Sequence, residues 1–223
     1  MNRAKRVSMA GVLAWAAAML AAPAVLGGCT LAGGMIESYR QKSTRPVPAE
    51  YVGLSGKSIA VVVSADRSIE ADFPGLTSTL IERINQRLID NASPSHYFQG
   101  RELVHYLTNN PQLLFRPRSE LAQDLGVQRL IVIELQEFRL NDPGNQYLWD
   151  GVAVGRVSVV EADGPLPDDY AFVRRIAVTF PDQKGIGPEQ YGRDVVSSAL
   201  LVRFIDRASW PFYEHQEPYY PKY

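Results

Sequence analysis

The sequence predicts an α/β fold: one compact domain with helices packed on a mixed sheet and a long antiparallel hairpin. Three observations carry this. Two short apolar runs, residues 58–63 and 129–138, are rich in Ile and Val and read as strands buried on both faces. Leu76, Leu80, Ile81, Ile84 and Leu88 recur at helical spacing. Residues 151–161 and 170–180 flank Asp163-Gly164-Pro165, and their apolar and polar positions trade places along the chain as in a hairpin. The predicted order is β-α-(β)-α-α-β-β-β-α.

The first strand is Ser58-Ile59-Ala60-Val61-Val62-Val63. A polar loop over residues 66–72 follows, and Pro74-Gly75 opens the strongest helix in the chain. Glu82, Arg83 and Arg87 fall away from its apolar stripe, and residues 91–94 end it. A short extended piece near Tyr97 and Phe98 precedes a small helix over residues 101–107, with Leu103, Val104 and Leu107 inward. After Pro111 and Pro117, Ser119 is placed to cap a helix that turns Leu121, Ala122 and Leu125 inward. Gly126 suits the left-handed position just past its end. The two hairpin strands come next. A last helix over residues 188–209 is expected to bury Tyr191, Val195, Ala199, Val202 and Ile205.

The amino terminus has a separate logic. Arg3, Lys5 and Arg6 precede an almost wholly apolar run over residues 9–25, then Leu26-Gly27-Gly28-Cys29. This is the charged, apolar, small-residue order of an export signal. The run is near the lower limit for spanning a bilayer, about 18 residues, and Pro23, Gly27 and Gly28 weaken its far end as a helix. Leu26 to Cys29 resembles a bacterial lipobox. That resemblance implies cleavage after Gly28, with Leu26, Gly27 and Gly28 read by the signal peptidase and Cys29 acylated. Two or more acyl chains anchor a protein stably, whereas one does so only marginally; lipoproteins of this pattern carry three. Thr30 stands where many inner-membrane lipoproteins have Asp, which favours the outer membrane, facing the periplasm, with the inner membrane as the alternative. Cys29 is the only cysteine, so no disulfide can form within the chain.

The expected divisions are a signal peptide over 1–28, a lipidated tether over 29–56, a periplasmic α/β domain over 57–209 and an aromatic, proline-rich tail over 210–223. Removing Arg3, Lys5 and Arg6 leaves 20 Lys and Arg against 24 Asp and Glu, a net charge near −4. With no basic block, nucleic acid is not an expected partner.

Residues 120–133, Glu-Leu-Ala-Gln-Asp-Leu-Gly-Val-Gln-Arg-Leu-Ile-Val-Ile, resemble a stretch of several envelope proteins. These include the periplasmic domain of the curli-secretion lipoprotein and the TolB amino-terminal domain. There the stretch runs from a helix through its terminal glycine into a central strand. The resemblance implies that fold type for residues 57–205. It does not extend to pore formation: residues 140–147 form a short polar loop, and the later hairpin carries Arg156, Glu161, Arg174 and Arg175. A membrane strand needs about 9–11 alternating residues.

Familiar catalytic patterns are incomplete. Gly56-Lys57-Ser58 lacks the earlier glycine of a phosphate loop, since Tyr51 stands there, and it precedes a strand. Gly53 to Lys57 lacks the last glycine of a nucleophile elbow. His96, His105 and His215 share no metal-ligand spacing. Asp163, Asp168 and Asp169 lack the glycine and glutamate of a calcium loop. Asn91-Ala92-Ser93 matches a glycosylation acceptor, which carries little meaning in a bacterial-type lipoprotein. The tail offers Trp210, Phe212, Tyr213, Tyr219 and Tyr220 either as cover for the domain's own sheet or as a partner-binding strip.

These readings converge on a lipid-anchored envelope protein, not an enzyme, that acts as a binding or assembly module. Its partners are the bilayer, through Cys29, and envelope proteins or further copies of itself. Its only prosthetic group is the covalent lipid. An enzyme with a dispersed site and a self-associating structural lipoprotein are the alternatives.

Overall fold

The parallel and antiparallel halves of the sheet follow from how its strands are connected. A computed structural model describes residues 43–218, the side chain of Leu114 aside. The strands are β1 (Thr44–Val47), β2 (Ser58–Ala65), β3 (His96–Tyr97), β4 (Arg129–Arg139), β5 (Gly151–Glu161), β6 (Tyr170–Phe180) and β7 (His215–Pro218). The helices are α1 (Arg67–Asp72), α2 (Leu76–Ala92), α3 (Gly100–Asn109), α4 (Arg118–Asp124) and α5 (Arg193–Ser209). Short 3-10 turns cover Pro111–Phe115 and Trp210–Phe212.

The main sheet runs β3-β2-β4-β5-β6. β2 pairs in parallel with β3 and β4, while β4, β5 and β6 are antiparallel neighbours. The mixed sheet with its long hairpin is therefore as the sequence predicts. Two compact units are distinguished: 46–215, which contains this sheet, and a small one to which Arg45 and residues 216–218 belong. β1 and β7 form a two-stranded sheet. In the small unit, Arg45 Nη2 lies 3.9 Å from Glu217 Oε2.

In the large unit, β2 and the first half of β4 are buried on both faces: Ile59, Ala60, Val61 and Val62 alternate sides, as do Leu130, Ile131, Val132 and Ile133, and all are in the core. α2 packs on β2, and α5 packs on β5 and β6. α4 packs on β4 and β5. Glycines on β5 admit α5 closely. A Cβ on Gly155 would stand 2.9 Å from Phe204 Cζ and 2.8 Å from the Glu134 carbonyl oxygen.

The stretch over residues 120–133 does run from helix through glycine into a central strand. Gly126 has φ +65°. Its N–H donates to Gln123 O at 3.0 Å, and that of Val127 donates to Ala122 O at 2.9 Å. This double closure satisfies carbonyls that the helix end leaves open.

Three local expectations need correction. Residues 67–72 form α1 rather than a loop; only Ile69 is buried there, so no apolar period marks it. Glu70 Oε1 accepts from Gly75 N at 2.7 Å and ties α1 to the start of α2. Ser119 lies within α4, and its side chain does not cap that helix. The last helix begins at Arg193, not at residue 188, and presents a different stripe. Val196, Leu200, Phe204 and Ala208 are buried, and so is Ile205 as expected, whereas Tyr191, Val195 and Val202 are exposed. Both stripes have helical spacing. The one with Leu200 and Phe204 buries more apolar area and fits the hollow at Gly151 and Gly155. Tyr51-Val52-Gly53-Leu54, which the sequence offers as a segment able to pack onto the domain, does so: Leu54 is buried, and the Tyr51 ring lies 5.7 Å from Phe172 and 6.1 Å from Phe212.

Candidate binding surface

Cys29, Leu26, Gly27, Gly28, Tyr219 and Tyr220 lie outside the described residues. Of the remaining tail aromatics, Phe212 and Tyr213 are buried in the domain's own core. Trp210 is half-buried, stacks on His215 at 4.6 Å and carries the Arg207 guanidinium 5.2 Å from its centroid. The Tyr213 hydroxyl is 3.0 Å from Ser209 Oγ. These contacts turn the Trp210–Tyr213 segment inward, and its proline-fixed turn places two aromatic rings under the sheet's end.

The titratable groups are placed as structural ties. Among the described residues no three His, Cys, Asp or Glu side chains gather as a metal site. His105 Nε2 lies 3.1 Å from Asn109 Nδ2, and His215 Nδ1 lies 3.2 Å from Tyr213 O. Asp168 Oδ1 accepts from Ser119 Oγ at 2.5 Å and from Ser119 N at 3.2 Å, so a carboxylate from the β5–β6 loop finishes the amino end of α4. Asp163 is anchored too. It accepts from Lys57 Nζ at 2.7 Å, from Gln128 Nε2 at 3.2 Å and from the buried Arg129.

This cluster has strong electrostatics. The hydrogen bonds from Lys57 and then Arg129 pull the Asp163 carboxyl from its ordinary 3.8 down to about 2. Burial, followed by the hydrogen bond to Glu161, pushes the Tyr51 hydroxyl well above its usual value; it donates to Glu161 Oε1 at 2.6 Å. Burial works against the charge of Arg129, but the Asp163 hydrogen bond and the nearby Tyr51 and Glu161 outweigh it and raise its pKa. The cluster locks the segment before β2 to the hairpin loop. Its acids and bases are already paired with each other, an arrangement that suits holding rather than proton transfer.

Two of the concavities bear on a binding surface. One, of about 380 Å³, lies beside β3 and is lined by Glu82, Asn85, Gln86, Tyr97, Gln99 and Arg101 among others. Asn85 Nδ2 donates to Phe98 O at 2.9 Å, while its Oδ1 has no partner among the described residues and is sealed from solvent. The other, of about 220 Å³, opens on β6 between Arg174, Arg175, Ile176, Ala177 and Arg207.

That second hollow belongs to a longer surface. β6 is the last strand of its sheet and eleven residues long, and its outer side pairs with no strand among the described residues. Such an edge presents a row of backbone donors and acceptors. Arg203 Nη1 donates to Thr179 O at 2.5 Å, so the backbone groups of Thr179 point away from β5. The two-residue period gives Ala177, Arg175 and Val173 the same outward orientation. On the face away from α5, the register aligns Val132, Ser158 and Val173 in one row and Glu134, Arg156 and Arg175 in the next. Val173 is 51% exposed. Sequence reasoning found the strand but not its position at the edge, because edge or centre is decided by pairing, which alternation alone does not encode.

Comparison with known proteins places this layout among solved structures. No family model matches the chain, and no curated protein matches it. The PelC dodecamer of Paraburkholderia phytofirmans is similar at 11% identity and a TM-score of 0.44, over 77% of this chain and 96% of that one. Lipoprotein GNA1162 of Neisseria meningitidis is similar at 11% identity and a TM-score of 0.45, over 67% and 96%. The LpoB carboxy-terminal domain of Salmonella enterica gives 14% identity and a TM-score of 0.36, over 56% and 83%. These are likenesses of outline between small α/β chains.

Proposed function

We propose that the chain is a lipid-anchored protein of the bacterial envelope that works by docking an envelope protein along β6, without catalysis and with no cofactor beyond the lipid on Cys29. The observation that carries the docking surface is the eleven-residue outer edge of β6, which pairs with no further strand among the described residues. Addition of a strand to such an edge draws affinity from main-chain hydrogen bonds and specificity from alternate side chains. The paired state of the acids and bases around Arg129 supports a binding role over an enzymatic one. The anchor rests on the order of Arg3, the apolar run and Leu26-Gly27-Gly28-Cys29. Thr30 supports the outer membrane, with the domain in the periplasm.

Two measurements test this. Mass spectrometry of the mature protein is expected to show an acylated Cys29 at the amino terminus; an intact leader, or an unmodified Cys29, overturns the anchor. A photo-crosslinking side chain at position 173 is expected to capture an envelope protein, whereas one at the exposed position 195 on α5 is not. Equal capture from both positions, or turnover of a small molecule by the purified monomer, overturns docking along β6.

A further inference from the structure

The partner's chemistry can be read from the rows that end at this edge. Resting on the docking surface proposed above, we infer that β6 takes an extended segment of a protein partner in which acidic residues meet Arg174 and Arg175 and small apolar residues meet Val173, Ile176 and Ala177. Three features converge on this occupant. First, the row Glu134–Arg156–Arg175 begins with an ion pair, Arg156 Nη2 to Glu134 Oε2 at 2.6 Å, and ends with two arginines directly opposite each other. Like charges so placed are destabilising. No ion pair of Arg175 within the described residues offsets this, so a carboxylate one strand further out completes the row.

Second, the chain already shows an acid on this edge. Glu50 makes a close ion pair with Arg174, the residue on the other face of the same strand. Arg207, in the last turn of α5, adds a further cation to the hollow. Third, the neighbours that flank this arginine pair on β5 and β6 are uncharged: Ser158 and Val173 before, Val154 and Ala177 after. An occupant that was acidic throughout would strand carboxylates against these rows. The pattern asked for opposite residues 173–177 is therefore Val-Glu-Glu-Val-Val. A second copy of β6 is disfavoured, because its own Arg174 and Arg175 would meet this pair.

The test uses the full chain purified in detergent and a fluorescent peptide, Thr-Val-Glu-Glu-Val-Val-Thr, together with its reversed sequence to cover both strand directions. Anisotropy is expected to show binding of one of the two. Arg175→Glu is expected to weaken it on the order of tenfold, the scale of about 1.4 kcal/mol, and to create binding of the peptide in which Lys replaces only the Glu that faces position 175. Because Arg175 is exposed, the swap keeps the test valid with a folded protein. Equal binding of the acidic and Lys-substituted peptides, or of neither, overturns the inference. So does Arg175-dependent binding to phosphatidylglycerol vesicles without peptide binding, which would assign the arginines to a lipid surface. Ala177→Pro in cells separates the two readings. If it abolishes crosslinking at position 173 while the acidic peptide does not bind, docking along β6 stands and the acidic specificity falls.

Discussion

The two halves of the main sheet contain similar residues and meet different fates. β2 and the first half of β4 are Val- and Ile-rich and hidden on both faces. β5 and β6 are just as rich in Val, yet β6 leaves six of its eleven residues exposed. Connectivity accounts for the contrast. Parallel strands can be joined only by a crossover, and the crossovers here carry α1 to α4, which become the cover. Antiparallel strands need only a loop, so the β4–β5 and β5–β6 connections bring no helix with them. α5 returns over one face of β5 and β6; on the other, α4 packs on β5, and Val173, Arg175, Ala177 and Thr179 of β6 stay exposed. A chain that builds its sheet this way acquires a protected half and an available half.

The contrast is sharpest in the core. Ile131→Ala on β4 is expected to cost about 2–5 kcal/mol in denaturant unfolding, because the site is closed on every side and cannot collapse readily. A loss under about 1 kcal/mol would show that the protected half is loosely packed. Next comes the seam under α5. Gly155→Ala places a methyl against Phe204 and the Glu134 carbonyl, and is expected to cost roughly 1–3 kcal/mol. Thermal melting would check it, and an unchanged midpoint would mean that α5 shifts freely on β5.

The Arg129 cluster joins the halves and gives them a pH dependence. Asp163 has a lowered pKa, so its contribution is present above the ordinary carboxylate value of 3.8 and is lost as pH falls through about 2. Unfolding midpoints measured between about pH 5 and 2 should fall in that window, and Asp163→Asn should flatten the fall. A parallel decline in both proteins would place the acid sensitivity elsewhere. Smallest is the effect on the open half. Val173→Thr is expected to change stability by less than about 0.5 kcal/mol while weakening whatever binds there. A larger loss would mean that the edge is structural in the monomer.

The same contrast governs what could be read from sequence. Strands β4, β5 and β6 and helix α2 were legible because their periods are long and their punctuation is clear, with Gly126 the best example. The stripe of α5 was not, because Val195 and Val196 head two equally periodic rows, and only the hollow at Gly151 and Gly155 decides between them. α1 escaped notice because it buries a single side chain. At the candidate surface, Arg174 and Arg175 were visible as charges on a strand. That they end a cross-strand row beside Arg156 depends on a register set between segments twenty residues apart, which no local pattern contains.

Asp168 makes the order of assembly matter. α4 is seven residues long, far below the ~12–15 at which isolated helices become even marginally stable in water. The acceptor that satisfies its first turn comes from a loop 49 residues later in the chain. A chain emerging amino-terminus first would thus hold β4 with an unfinished lid until the hairpin closes. Any nascent or translocating intermediate that stops short of β6 would expose the apolar face of the central strand, and so would be the species most in need of a chaperone.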